Sequence, residues 1–288
     1  MDLPIIMVSD AERAQGRLAQ ESAFAAIKGL HEEGAVILRG IYPTEGIDAL
    51  YQTFQARYGN LDPARMLAAS QQPPPNFIQK VGEGRYEIAP RMTGPFGHPG
   101  LFANAVLMNF LWPLLGGDIM RLASMTVVAS YPGSAMQHIH RDHGQLFHEF
   151  AQIGPALPLY AVNVTVPLID VDQNIGPTAI WPGSHRWPQE QESTPEGMAS
   201  VAFQRGDAIV MDYRTMHTGM PNSSNTVRPI LYMVYSREWF FDDNNHRGRT
   251  PMAITLAELQ AMPKESQLLL MRAWQQALRA HQLATLPA

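Results

Sequence analysis

Between about residue 120 and residue 240, apolar and polar positions alternate with a period of two, in short runs broken by turn-forming residues. MTVVASY, YAVNVTVPL, VAFQ, AIVMDY and PILYMVYS are rich in β-branched and aromatic residues, which suit a pleated surface. In YAVNVTVPL, Val162, Val164 and Val166 fall on one face and Asn163 and Thr165 on the other. Successive short strands parted by proline and glycine predict an antiparallel sandwich or barrel such as a jelly roll. Helical spacing flanks this region, so the predicted fold class is mainly β with flanking α-helices.

Ahead of the strands, Phe24, Ile27 and Leu30 are three apart, and Gly34 is placed to end that helix in a left-handed turn. AVILRGIY reads as a short strand. Thr44 is a candidate cap for a second helix carrying Ile47, Leu50, Tyr51, Phe54 and Tyr58 as far as Gly59. Beyond the strands, Thr255 and Glu258 form a capping box, and Leu270, Trp274 and Leu278 line one face of a last helix, able to pack on the sheet or to serve a homodimer. Residues 71–100 hold six prolines and five glycines, which predicts an irregular lid or entrance rather than long regular elements. There is no internal repeat and no clear linker. Residues 1–288 are therefore expected to form one domain, with its β core at about 120–240.

Composition narrows the function. Hydrophobic residues make up 45% and charged residues 16% of the 288, which excludes a wholly disordered chain. Net charge is -5, and with three lysines and no basic run a nucleic-acid partner is not expected. The absence of cysteine removes thiolate chemistry and cysteine metal sites, leaving His, Asp and Glu as metal ligands. Asp2 and Asp10 stand where a secretory signal needs a basic start and an apolar run, and the apolar stretch 105–115 is too short to span a bilayer. A cytoplasmic protein without a membrane partner is the expectation.

Four of the ten histidines crowd into eleven residues: His138, His140, His143 and His148. On an extended chain His140 and Asp142 point to one side, offering an imidazole and a carboxylate together. That is two thirds of the 2-His-1-carboxylate face that binds Fe(II) and leaves positions open. An H-x-D pair arises by chance roughly 0.4 times in a chain of this composition, so the layout around it matters. His217 follows the AIVMDY run and can close the triad from a facing strand. Arg228 opens the next strand, where its guanidinium can make a two-pronged bond to a carboxylate beside the metal.

His140-Arg141-Asp142, then IGPTAIWPGSHRW at 175–187, then GDAIVMDYRTMHTGMPNSSNTVRP at 206–229 together resemble the phytanoyl-CoA dioxygenase family of Fe(II)- and 2-oxoglutarate-dependent oxygenases. The resemblance implies a double-stranded β-helix, a cupin-like jelly roll. It implies His140, Asp142 and His217 as the catalytic iron ligands and Arg228 on the distal carboxylate of 2-oxoglutarate, with Gln137 and Thr178 as further contacts to that cosubstrate. Asp142 points to an oxygenase, since related halogenases carry a small residue there. The implied reaction uses O2 to oxidise, and typically hydroxylate, a C–H bond of a small molecule, releasing succinate and CO2. GRYEIAPRMTGPF is similar to members of the family that tailor natural products. Two alternatives stand beside it. His138 to His143 also reads H-x-H-x-D-H, similar to the dinuclear zinc motif of metallo-β-lactamase-like hydrolases; this leaves PGSH and the His217–Arg228 pairing without a role. The other is a non-catalytic jelly-roll binding module, which requires that the triad hold no metal. His138 and His143 are read as packing or supporting residues, and His185 as a turn stabiliser.

Overall fold

The computed structural model describes residues 3–59, 62–72, 77–117, 119–150, 152–191, 193–242, 245 and 252–285. Its strands in chain order are β1 (Ile5–Met7), β2 (Ala35–Arg39), β3 (Ile78–Gly82), β4 (Arg85–Ile88), β5 (Met120–Ser130), β6 (Ala161–Pro167), β7 (Thr178–Ile180), β8 (Ala199–Ser200), β9 (Ala208–Asp212), β10 (His217–Gly219) and β11 (Arg228–Arg237). They form an eight-stranded sheet of order β1-β2-β9-β6-β11-β5-β4-β3 and a three-stranded sheet of order β10-β7-β8. All pairings are antiparallel except β1 with β2. This is the jelly-roll arrangement, with helices on the outer face of the large sheet.

The period of two decides which residues reach which layer. On β6, Val162, Val164 and Val166 enter the main core with Met125, Val127 and Ala129 of β5 and Leu231, Met233 and Tyr235 of β11. Helices Gln20–Glu33, Thr44–Phe54 and Ala105–Leu114 cover that core through Leu30, Leu50, Phe54, Leu107 and Phe110. The opposite face turns toward the small sheet. There a second cluster, including Ile37, Ile209, Met211 and Ile230 from the large sheet and Ile180 and Ala199 from the small one, closes one end of the sandwich. Beside it, Ser124, Thr126, Val128, Asn163, Tyr232 and Val234 line a cavity instead. The polar positions of the alternating strands thus face an inter-sheet cavity rather than the outside.

Several expectations are met and several corrected. Gly34 ends its helix with φ +76°, and Thr255 with Glu258 forms the capping box. Leu270 is buried and Trp274 packs against the main core, while Leu278 is exposed. Thr44 is not a cap; it is the first helical residue, after Pro43, and the helix widens into a π turn at Gln55–Gly59. VAFQ is not a strand: Phe203 makes a single bridge with Val171. The stretch read as an irregular lid holds the β3–β4 hairpin, whose β4 pairs with β5 and extends the large sheet; its residues 73–76 lie outside the described ones. Proline and glycine density marked the flanks and turn of that hairpin, and hid its strands.

Candidate metal centre

His140 lies just beyond the strands, but it makes a single antiparallel bridge with His217 at the start of β10. The two backbones bond in both directions: His140 N–H to His217 O at 3.0 Å and His217 N–H to His140 O at 2.8 Å. Their rings therefore sit side by side, centroids 4.4 Å apart. Asp142, two residues on, points to the same place, its Oδ1 3.5 Å from His217 Nε2. One ligand atom from each of the three lies within 4.8 Å of the others, and no other group of three or more His, Asp or Glu among the described residues meets that condition.

Both imidazoles are oriented by their own backbone. His140 Nδ1 bonds His138 O at 2.9 Å, and His217 Nδ1 bonds Thr215 O at 3.0 Å. A carbonyl can only accept, so each Nδ1 carries the proton and each Nε2 keeps its lone pair for a metal. Burial, helped by the neighbouring His217 ring and opposed by Asp142, holds the His140 imidazole down to about 4, so it is neutral at physiological pH. The donor set, two imidazoles and a carboxylate with an open side toward the cavity, fits Fe(II) and leaves room for other ligands.

The motifs around the ligands brace them. Arg141, between His140 and Asp142, donates to the carbonyls of Ser184, Trp187 and Pro188 and to Arg214 O. Ser184 of the PGSH turn accepts from Met216 N–H at 2.8 Å, one residue before His217. PGSH thus ties together the two segments that carry the ligands. His185 is buried at that turn, its Nε2 3.1 Å from His31 O. Asn245 donates to the Asp142 carbonyl and to Asp242, which also accepts from the Tyr213 hydroxyl at 2.7 Å.

A second polar group assembles around Gly219, two residues after His217. Thr178 is its register partner on β7, and the Gln137 N–H donates to its carbonyl at 3.0 Å. Gln137 lines the cavity, and Thr178 is buried. Arg228 and Arg85 are both fully buried. Arg228 donates to Gly176 O through NH1, and its Nε and NH2 have no partner. Arg85 donates to the carbonyls of Ala135, Gly219 and Met220 and leaves NH1 free. The Arg85 guanidinium is held down to about 10 by burial and by the Arg228 charge, so two cations share one buried neighbourhood with no described carboxylate paired to either. Buried charge without a counter-ion is costly. An anionic ligand with a carboxylate is the chemistry such a pair suits, and the free N–H groups fit the distal end of 2-oxoglutarate. The Tyr232 hydroxyl is pushed up by burial, opposed by Arg228, and feels the charges of Asp142 and Arg85 as well.

Of the six residues singled out from the sequence, Gln137, His140, Asp142 and His217 line the triad cavity, and Thr178 and Arg228 are buried outside its lining. Sequence reasoning missed Arg85, Asn163, Tyr232 and Asn245. Asn163 was visible as a polar residue on a strand's second face, whereas the approach of Arg85 to Arg228 exists only in the folded chain. His138 and His143 do not join the cluster. His138 is exposed, and His143 bonds the Gly144 carbonyl and packs edge-on against Phe240. The dinuclear H-x-H-x-D-H reading therefore lacks its ligands.

The cavity at the triad measures about 360 Å³ and includes Lys80, Val81 and Glu87 of the hairpin in its wall. A larger one of about 590 Å³, lined by residues such as Ile47, Leu50, Leu101 and Val106, contains none of the triad and only one histidine, His98.

Among known proteins, the chain is 33% identical over 110 residues to the iron/alpha-ketoglutarate-dependent dioxygenase okaE of Penicillium ochrochloron, covering 38% of this chain and 36% of okaE. It is 25% identical over 153 residues to the dioxygenase FUM3 of Gibberella moniliformis, covering 53% and 49%. The chain thus spans about a third of the first relative and half of the second. HygX of Streptomyces hygroscopicus, solved with nickel and 2-oxoglutarate, aligns with a TM-score of 0.55 over 77% of this chain and 89% of HygX. At 14% identity that likeness shows the fold alone, a cupin-like jelly roll. The family model described as phytanoyl-CoA dioxygenase (PhyH) matches residues 30–230, and the chain belongs to that family.

Proposed function

We propose that the protein is a non-haem Fe(II)- and 2-oxoglutarate-dependent dioxygenase that uses O2 to oxidise, and most simply hydroxylate, a C–H bond of a small molecule, releasing succinate and CO2. The single observation that carries this reading is the approach of two buried, acid-free arginines to the strand of the His140–Asp142–His217 metal-ligand cluster: Arg85 donates to Gly219 O, two residues after His217, and lies beside Arg228. Bound iron would activate O2, which is the oxidant, with 2-oxoglutarate giving up two electrons as it becomes succinate and CO2. The chain supplies geometry. His140, Asp142 and His217 hold the metal through Nε2, Oδ1 and Nε2. Arg228, supported by Arg85, neutralises and orients the distal carboxylate, and Gln137 and Thr178 complete that end. Burial between the sheets keeps bulk water from the reacting centre.

The substrate enters beside the β3–β4 hairpin and meets Lys80, Glu87, Ser124 and Thr126, so it is a compact molecule with polar groups. The similarity of GRYEIAPRMTGPF to family members that tailor natural products supports a natural-product intermediate. On this reading residues 1–288 act as one cytoplasmic domain on a diffusible molecule, with no nucleic-acid or membrane partner, and the exposed Leu278 leaves a homodimer contact open. The test is succinate release from 2-oxoglutarate across a panel of candidate intermediates. Release should require Fe(II), O2 and His217. Turnover that survives His217→Ala would contradict the proposal.

A further inference from the structure

Asp142 presents its two oxygens differently. Oδ1 faces His217 Nε2 at 3.5 Å, while Oδ2 accepts a hydrogen bond from Asn163 Nδ2 at 2.8 Å. Asn163 sits on β6, a strand of the large sheet, and is only 4% exposed. Its Oδ1 is buried and has no partner. A buried amide that leaves half its capacity unused costs stability, and an apolar residue would fit a strand whose other face is valine. Among the described residues, the only polar side-chain contact that repays the cost is the one to Asp142.

We infer that Asn163 is a positioning residue for the metal centre: it occupies Oδ2 of Asp142, so that the carboxylate offers a metal one oxygen and keeps a site free for cosubstrate. This rests on the dioxygenase reading above. The physical argument is rotational. A carboxylate on a single χ2 bond turns easily unless an outer partner holds one oxygen, and a turned carboxylate can present both oxygens to a metal and occupy an additional position. The backbone of Asp142 is held separately by Asn245, so the Asn163 bond governs the side chain alone.

The test uses the full chain, anaerobically, with Fe(II) affinity measured by chelator competition and Co(II) as a spectroscopic probe. Asn163→Leu keeps the shape and removes the donor; Asn163→Ser, too short to reach Oδ2, carries the test if the leucine variant does not fold. Thr165→Val, two residues along the same face, is the control. The expected result is a loss of Fe(II) affinity of about 10- to 100-fold in the Asn163 variants, with a changed Co(II) visible spectrum and an unchanged near-ultraviolet dichroism of the metal-free protein. Thr165→Val should match the wild type. Wild-type affinity and spectrum in both Asn163 variants overturn the inference and leave the dioxygenase reading intact. A wild-type chain that binds neither Fe(II) nor Co(II) overturns both.

Discussion

His140 and His217, 77 residues apart in sequence, are joined backbone to backbone by a reciprocal pair of hydrogen bonds, with their rings 4.4 Å apart. The pairing sets two ligands by main-chain geometry, so each side chain can be replaced without losing the bridge that positions it. His217 opens β10 and His140 is bonded to it main chain to main chain, which fixes two ligands of a site that keeps an open side.

Replacing a ligand should therefore remove metal binding without unfolding the chain. His140→Ala, Asp142→Ala and His217→Ala are each expected to abolish stoichiometric Fe(II) binding and all turnover, while circular dichroism stays that of the wild type. Equilibrium dialysis with Fe(II) under anaerobic conditions is the check.

Arg228 sits fully buried without an acid, so its removal should have opposite effects on the free and the ligated protein. With Fe(II) present, 2-oxoglutarate at a hundred times its Kd should stabilise the wild type by about 2.7 kcal/mol. Arg228→Met should lose most of that gain, yet be at least as stable as the wild type without 2-oxoglutarate, because an unpaired buried charge is gone. Thermal melts with and without 2-oxoglutarate separate the two effects. A full ligand-induced shift in the variant would remove the role given to Arg228.

The legible part of the centre followed from local order. Arg228 is the first residue of β11 and could be placed by strand periodicity, whereas the H-x-D pair lies just beyond the strands, His140 on a single bridge and Asp142 in a bend, and was legible from its spacing alone. The illegible part is tertiary. Arg85 reaches Arg228 only because a hairpin inside a proline- and glycine-rich stretch adds to the sheet edge, and nothing local reports that pairing. VAFQ failed for the converse reason. Its composition suits a strand, but a strand needs a neighbour, and Phe203 finds only Val171.

Gly34 links helix Gln20–Glu33 to the ligand-bearing side of the sandwich. With φ +76°, an added Cβ would lie 2.5 Å from His185 Nδ1 and 2.6 Å from Thr215 Oγ1. Gly34→Ala should therefore cost more than the roughly 1–2 kcal/mol of a left-handed alanine alone. Gly46, in helix Thr44–Phe54 with open space around it, is the contrast: Gly46→Ala should stabilise by about 0.5–1 kcal/mol. Urea midpoints measure both.

Acid should weaken the metal-free protein at a predictable pH. Burial holds His185 down to about 4, against an ordinary value of 6.5. Between those values the unfolded chain binds the proton and the folded one does not, so stability is complete above 6.5 and falls as pH drops toward 4. His185→Gln, which does not titrate, should lessen that fall and leave the part contributed by His140, also held down to about 4. Urea denaturation from pH 7 to pH 4.5 checks it, and an unchanged slope would contradict the assignment.

The central claim is that one site holds iron on His140, Asp142 and His217 and 2-oxoglutarate against Arg228. Anaerobic visible spectroscopy reads it most directly: Fe(II) is added to metal-free protein, followed by 2-oxoglutarate. The account predicts a weak charge-transfer band only when both are present, lost in His217→Ala and shifted to much higher 2-oxoglutarate concentration in Arg228→Met. No band in the wild type, with two zinc ions retained per chain instead, would contradict it and turn attention to hydrolysis.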